Sequence, residues 1–477
     1  MRSCHPRMNP QETDLSAAVQ SAYEVLEKSI VHYLGGPVGT IASADPKAPA
    51  ANYADCFVRD FVSSALVFLL DGRQEIVRNF LQLTLKLRDK QAEIAGHRML
   101  PRVMPASFKV ITHPDGREEI DVDFGDRAIG RVAPVDSMMW WILLLQAYVR
   151  ATGDIEFAHS PDCQRGIRSI MNIFLRDRFE VFPTLLVPDG SFMIDRRMGV
   201  YGHPLEIQAL FYGALEAAQR LLDPADAENH PVIEESAARL TQLKTYVHDF
   251  YWLDLGRLNE IHRYETELIG HDAINALNIY PESIPDWLPG WLPDDAGCLV
   301  GNIGPGRMDF RFFSLGNLLA VLFGLASEEH AQRILDVFVG RWDDLIGTMP
   351  VKICYPAMEG EEWRLLTGSD PKNIPWSYHN GGNWPVLLWA LTGAALKYGR
   401  VDLASRAHDF AERRLVKDQW PEYYDGRNGR LIGRRANFNQ TWSATALILS
   451  HKFIEDPLVL KRIGWLFDRE EDAATPA

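Results

Sequence analysis

Six stretches of this chain are apolar almost all the way round, each opening on a short polar, aromatic and mostly glycine-containing cluster. They are YADCFVRDFVSSALVFLLDG (53–72), APVDSMMWWILLLQAYVRATG (133–153), YGHPLEIQALFYGALEAAQRLL (201–222), DFRFFSLGNLLAVLFGLAS (309–327), YHNGGNWPVLLWALTGAALKYG (378–399) and NFNQTWSATALILSHKFI (437–454). A helix with no polar face must be buried on most sides, so these runs predict six inner helices. More polar segments with one apolar side precede them, at 16–33, 74–90, 161–176, 232–250, 328–344 and 403–415. That periodicity predicts half-exposed outer helices. Ser160 before Pro161, Ser327 before Glu328 and Glu329, and Asp402 before Leu403 supply helix-start signals. Six outer–inner alternations predict an all-α fold, an (α/α)6 barrel of six inner and six outer helices. A closed ring gives every inner helix two buried flanks, which an open bundle does not.

The polar cluster of each unit stands at the N-terminal end of its inner helix. All six should therefore meet at one mouth of the barrel, the expected pocket. The competing reading is that these residues are helix caps, as Asp136 and Asn437 could be. Two kinds of segment interrupt the alternation. VITHPDGREEIDVDF alternates apolar positions around Pro114-Asp115-Gly116 and predicts a small β-hairpin. Residues 254–308 and 346–377 are rich in Pro, Gly and Trp, and connections of that length are usually lids or binding loops. No linker divides the chain. A single barrel domain over residues 15–466 is expected, with flexible ends at 1–14 and 467–477.

Apolar residues make up 47% of the 477 and charged residues 24%, enough to build a large core. The net charge of -15 disfavours nucleic acid, which is bound through clustered Lys and Arg. The five cysteines are odd in number and contain no CxxC, which argues against a disulfide framework and a structural zinc site. The opening MRSCHPRMNPQETD lacks the apolar core of a signal peptide, and no stretch is long and apolar enough for a membrane span. A cytoplasmic location and no membrane partner are the expectations.

No GxSxG, HExxH, P-loop or GxGxxG is present, and the histidines lack metal-ligand spacing, so no metal or cofactor is expected. Carboxylates, Trp, Tyr, Asn and Arg are concentrated at the helix mouths, which is the chemistry of sugar recognition. Glycosidic bonds are cut by two carboxyl groups, one protonating the leaving oxygen and one activating water or attacking carbon. In VPDGSFMIDRRMGVYGHPLEIQ, Asp189 reads as a turn and Glu206 falls inside the third inner helix, which leaves Asp195 in the connection to the mouth. In WPEYYDGRNGRLIGRRANFNQTW, Asp425 reads as a turn, which leaves Glu422 between Trp420 and Tyr424. These two connections lead into the third and sixth inner helices, opposite one another in a ring of six. Carboxyls facing across the pit suit inversion, where they stand roughly 6.5–9.5 Å apart. A general acid needs a raised pKa, so at least one of Arg196 and Arg197 is expected to face away or be engaged elsewhere.

From about residue 50 to 461 the chain resembles the alkaline/neutral invertase family of glycoside hydrolases. The resemblance is carried by NYADCFVRDF, RVAPVDSMMWWILLLQAY, DGSFMIDRRMGVYGHPLEIQALFY, WSYHNGGNWPVLLW and WPEYYDGRNGRLIGRRANFNQTWSATALIL. It implies an (α/α)6 barrel, metal-independent hydrolysis of sucrose with inversion, and a cytosolic homo-oligomer. It places the general acid on Asp195 of IDRRMG and the general base on Glu422 of WPEYYDG. Sugar contacts are implied for Tyr53, Arg59, Asp60, Asp136, His203, Glu206, His379, Asn380, Trp384, Arg435 and Gln440. The rival readings are a related inverting hydrolase or phosphorylase of another α-glucoside, such as trehalose or a maltodextrin end, and a non-catalytic sugar-binding barrel.

Overall fold

The apolar runs form helices close to their expected positions in the computed structural model. It describes residues 16–45, 51–90, 92–94, 96–127, 131–176, 182–194, 196–264, 275, 277–304, 307–431 and 436–464. The inner helices are, in chain order, Val58–Leu70, Ser137–Thr152, Leu205–Leu221, Ser314–Leu322, Leu388–Lys397 and Thr441–Glu455. Each packs against the next, and the sixth packs back against the first, which closes the ring. The outer helices are Ala17–Lys28, Gln74–Leu87, Pro161–Phe174, His230–Phe250, Glu328–Gly340 and Val401–Leu415. The chain is thus the expected barrel of two concentric helical layers. Closure puts the third and sixth inner helices on opposite sides of the ring.

One continuous apolar core fills the space between the layers, with Phe61, Phe68, Trp141, Phe211 and Tyr212 fully buried. Burying such a side chain contributes about 1.5–3 kcal/mol. The shaft is therefore a rigid support for the mouth. The hairpin around Pro114-Asp115-Gly116 is present as Ser107–Thr112 paired with Glu118–Asp123, and Cys56–Phe57 adds a third strand.

Several local expectations are corrected. Residues 30–33 do not continue the first outer helix: Ile30–Tyr33 is a strand paired with Gly36–Thr40. Ile30 and Val31 are β-branched, and Leu34 and Gly35 both take positive φ, which turns the chain back on itself. Asp402 is not a cap, because its helix starts one residue earlier at Val401. The segment 328–344 breaks at Arg341 into Glu328–Gly340 and Trp342–Leu345. The fifth inner helix starts only at Leu388, after a tight turn over Pro385–Leu387.

The capping alternative for the mouth clusters fails in all six units. None of the inner helices receives a side-chain cap hydrogen bond. Short strands lead into three of them instead: Cys56–Phe57 into the first, His203–Pro204 into the third and Phe312–Phe313 into the fourth. Backbone pairing sets the direction of these helices, and the mouth side chains are left for other work.

Candidate active site

A cavity of about 450 Å³ opens at the mouth, within the roughly 300–1,000 Å³ usual for small-molecule pockets. Its walls come from the approaches to five inner helices: Tyr53, Arg59 and Asp60 at the first, Pro134 and Ser137 at the second, and Ser191 and Phe192 before the third. Tyr378 and His379 stand before the fifth, and Glu422, Asn437, Gln440 and Trp442 before or within the sixth.

Glu422 is held by unusual backbone. After the last outer helix, Gln419 and Trp420 both take positive φ, a conformation that is uncommon for residues other than glycine and clusters at functional sites. This reverses the chain into an extended run. Its Glu422 N–H donates to the Asn437 carbonyl (2.8 Å), and Tyr424 exchanges backbone bonds with Asn383. Gly426 then passes so close to the Gly381 carbonyl that no Cβ would fit between them. Only glycine allows the loops carrying Glu422 and His379 to approach this closely.

The Glu422 carboxylate is 3% exposed. Tyr53 Oη donates to its Oε1 at 2.7 Å and Asn437 Nδ2 to its Oε2 at 3.2 Å, one donor for each oxygen. Burial, reinforced by the Glu422 charge, pushes the Tyr53 phenol well above its ordinary pKa, so it stays protonated and donating. Lys372 Nζ lies 3.4 Å from the same phenol oxygen and 3.8 Å above the Tyr378 ring. Asp60 faces the cavity beside this group. Burial pushes its carboxyl up to about 7, against the pull of Arg59 and with a further push from Glu422 and Asp136.

Arg59 grips the fully buried Asp136 through both Nε and Nη2, the latter 3.0 Å from Oδ1. Asp136 thus pairs with an arginine rather than capping its helix. Glu206 is not among the residues lining the cavity. Its Oε1 accepts from the Met193 N–H (3.0 Å), and burial pushes it up to about 8, with Asp136 raising it further and the Met193 bond and Arg59 opposing. His203 Nδ1 meets the Thr184 hydroxyl at 2.8 Å, also away from the cavity lining. Asn380 spends its amide on Met358 and Asn373 backbone, and the buried Trp384 donates to the Tyr378 carbonyl while stacking on Tyr423. These two support the wall from behind.

Asp195 and Arg435 lie outside the described residues. On the C-terminal side of Asp195, Arg197 Nη1 pairs with Asp370 Oδ2 at 3.0 Å. Lys372, Arg127, Asn437 and Trp442 line the cavity without having been singled out by the sequence as sugar contacts. Asn437 and Trp442 flank Gln440 and could have been taken with it, whereas Lys372 sits in a long connection that carries no periodic signal. Among the described residues, no group of three or more His, Cys, Asp or Glu could hold a metal ion, and no helix is long and apolar enough to cross a membrane.

Solved structures share the architecture. A bacterial glucoamylase complexed with acarbose superposes with a TM-score of 0.55 at 11% identity, over 95% of this chain and 57% of that one. At that identity the likeness concerns the fold alone. Sequence relatives are much nearer. Cytosolic invertase 1 of Oryza sativa subsp. japonica is 50% identical over 460 residues, 96% of this chain and 81% of that protein. The chloroplastic alkaline/neutral invertase E of Arabidopsis thaliana is 49% identical over 95% of this chain and 74% of its own length. The family model for alkaline and neutral invertases matches residues 22–457, nearly the whole barrel. With a closed helical ring, a sugar-sized cavity and a buried glutamate at its wall, the chain belongs to the alkaline and neutral invertase family of glycoside hydrolases.

Proposed function

We propose that this glycoside hydrolase cleaves sucrose to glucose and fructose in a single displacement, with Glu422 as general base and Asp195 as general acid. The observation that carries the reading is the setting of Glu422: a buried carboxylate at the cavity wall, fixed at both oxygens by Tyr53 and Asn437. A general base must be oriented before it can take a proton in the transition state. Glu422 removes a proton from water as the water oxygen bonds to the glucosyl anomeric carbon. The bond from that carbon to the bridging oxygen breaks, and Asp195 delivers a proton to that oxygen as fructose leaves. Water arrives on the face opposite fructose, so the first sugar formed is β-glucose. Proton NMR of the earliest product reads this directly, and initial α-glucose would sink the mechanism.

The reading extends to a homo-oligomer in the cytoplasm. The assembly rests on the family resemblance, and light scattering in solution reads it. Cys56, Cys163, Cys298 and Cys354 are all free and buried, which fits a reducing compartment.

A further inference from the structure

A larger cavity, of about 750 Å³, lies between the second outer helix, Gln74–Leu87, and the third, Pro161–Phe174, and shares no lining residue with the mouth. We infer that it binds a sugar phosphate, with the phosphate on Arg88 and the sugar hydroxyls on neighbouring carboxylates. Arg88 carries the inference. It is 4% exposed and lines the cavity, yet no carboxylate stands within ion-pair distance of it among the described residues. Its Nε donates to the Arg102 carbonyl (2.7 Å), Nη2 to the Ser169 hydroxyl (2.7 Å) and Nη1 to the Gly166 carbonyl (3.4 Å), all of them neutral acceptors. A guanidinium has five N–H groups, so one on each terminal nitrogen remains for a ligand.

A buried charge without a counter-charge is costly, and buried charges are normally paired. Burial lowers the Arg88 pKa to about 10, with Asp89 opposing and Arg102 adding to the fall, so it is still a cation at neutral pH. The backbone that holds it is fixed by close packing. A Cβ on Gly166 would lie 2.6 Å from Leu85 Cδ1, so glycine lets the two helices come near enough for Arg88 to reach across.

The remaining charges decide the ligand. Arg78 is taken by Asp154 (2.7 Å) and Arg165 by Asp162. Lys86 and Arg102, like Arg88, have no carboxylate within ion-pair distance among the described residues, whereas the uncommitted acids of the lining are Asp89 and Glu156. Cations are thus in excess here, in a chain whose net charge is -15. A phosphate supplies the missing negative charge and grips a guanidinium through charge-assisted hydrogen bonds. Phosphate alone leaves Asp89 and Glu156 facing another acceptor, and a neutral sugar alone leaves Arg88 without a counter-charge. A phosphorylated hexose answers both, because its hydroxyls donate to the carboxylates while its phosphate meets the cations.

The test is calorimetric titration of the full-length protein with glucose 6-phosphate, inorganic phosphate and glucose, for the wild type, Arg88→Met and the double variant Lys86→Met/Arg102→Ala. The double variant alters two exposed side chains and keeps the Arg102 carbonyl that Arg88 holds, so it serves even if Arg88→Met does not fold. The ester should bind the wild type, about tenfold or more weakly in the double variant and not measurably in Arg88→Met, with an affinity that falls as salt is added. Inorganic phosphate should bind about tenfold more weakly than the ester, and glucose equally to all three proteins. Sucrose hydrolysis without the ester should be unchanged in the double variant. No binding of the ester to the wild type, or equal affinity in wild type and double variant, overturns the inference. So does inorganic phosphate binding as tightly as the ester, or glucose weakened by the substitutions as much as the ester is.

Discussion

Two glutamates lie buried on opposite sides of the same ring and do different work because different atoms surround them. Glu422, near the sixth inner helix, faces the cavity with one donor on each oxygen. Glu206, in the first turn of the third, is 6% exposed and accepts a hydrogen bond from the Met193 N–H, while burial pushes its pKa up to about 8. One is held in a fixed orientation, as the proposed base requires. The other is a neutral brace at neutral pH, holding the backbone two residues before Asp195. Burial alone does not orient a carboxyl; donors on both of its oxygens do.

The sharpest way to break this contrast is Glu422→Gln. The amide keeps the shape and loses the ability to take a proton, so kcat should fall by about 10²–10⁴-fold with melting little changed. Near-wild-type turnover would remove Glu422 from the mechanism. Next in size is Arg59→Met, which strands the fully buried Asp136 carboxylate between the two regions. Breaking one side of a buried ion pair costs about 3–5 kcal/mol, readable by urea unfolding. A loss under about 1 kcal/mol would mean that Asp136 does not depend on this arginine.

Tyr53→Phe removes one of the two donors to Glu422 and leaves the ring. A decrease of about tenfold in kcat, with KM nearly constant, is expected for one charge-assisted hydrogen bond. Lys372→Met should act through the same phenol, so its effect should shrink when Tyr53 is already Phe. Additive effects in the double variant would separate Lys372 from the Tyr53–Glu422 pair.

The ring was legible in the sequence because burial on all sides leaves an unmistakable all-apolar run, as in SMMWWILLLQAY. The opposition of the third and sixth helices followed from counting alone. The mouth was less legible. Its short strands are two or three residues long, too short for period-two alternation to register, and Lys372 and Arg127 reach the cavity from connections without periodicity. The resemblance implies sugar contacts at Asn380 and Trp384, but amides and indoles serve walls and their supports alike, and only bond partners separate the two roles.

Glu206→Gln gives the smallest effect and the finest discrimination. An unfolded glutamate ionises near 4.5 and this buried one near 8, so between those values the folded chain holds a proton that the unfolded chain has lost. Stability from this group is therefore full at acid pH, declines as pH rises through the window and levels off above about 8. Asp60, raised to about 7 by the same cause, adds a parallel slope, but it is present in both proteins and cancels in their difference. Glutamine has no proton to lose and keeps an oxygen for the Met193 N–H. The melting temperature of Glu206→Gln relative to wild type should therefore climb between about pH 5 and pH 8, with kcat at neutral pH almost unchanged. A flat difference would show that Glu206 is ionised throughout that range, and would remove it as a neutral brace.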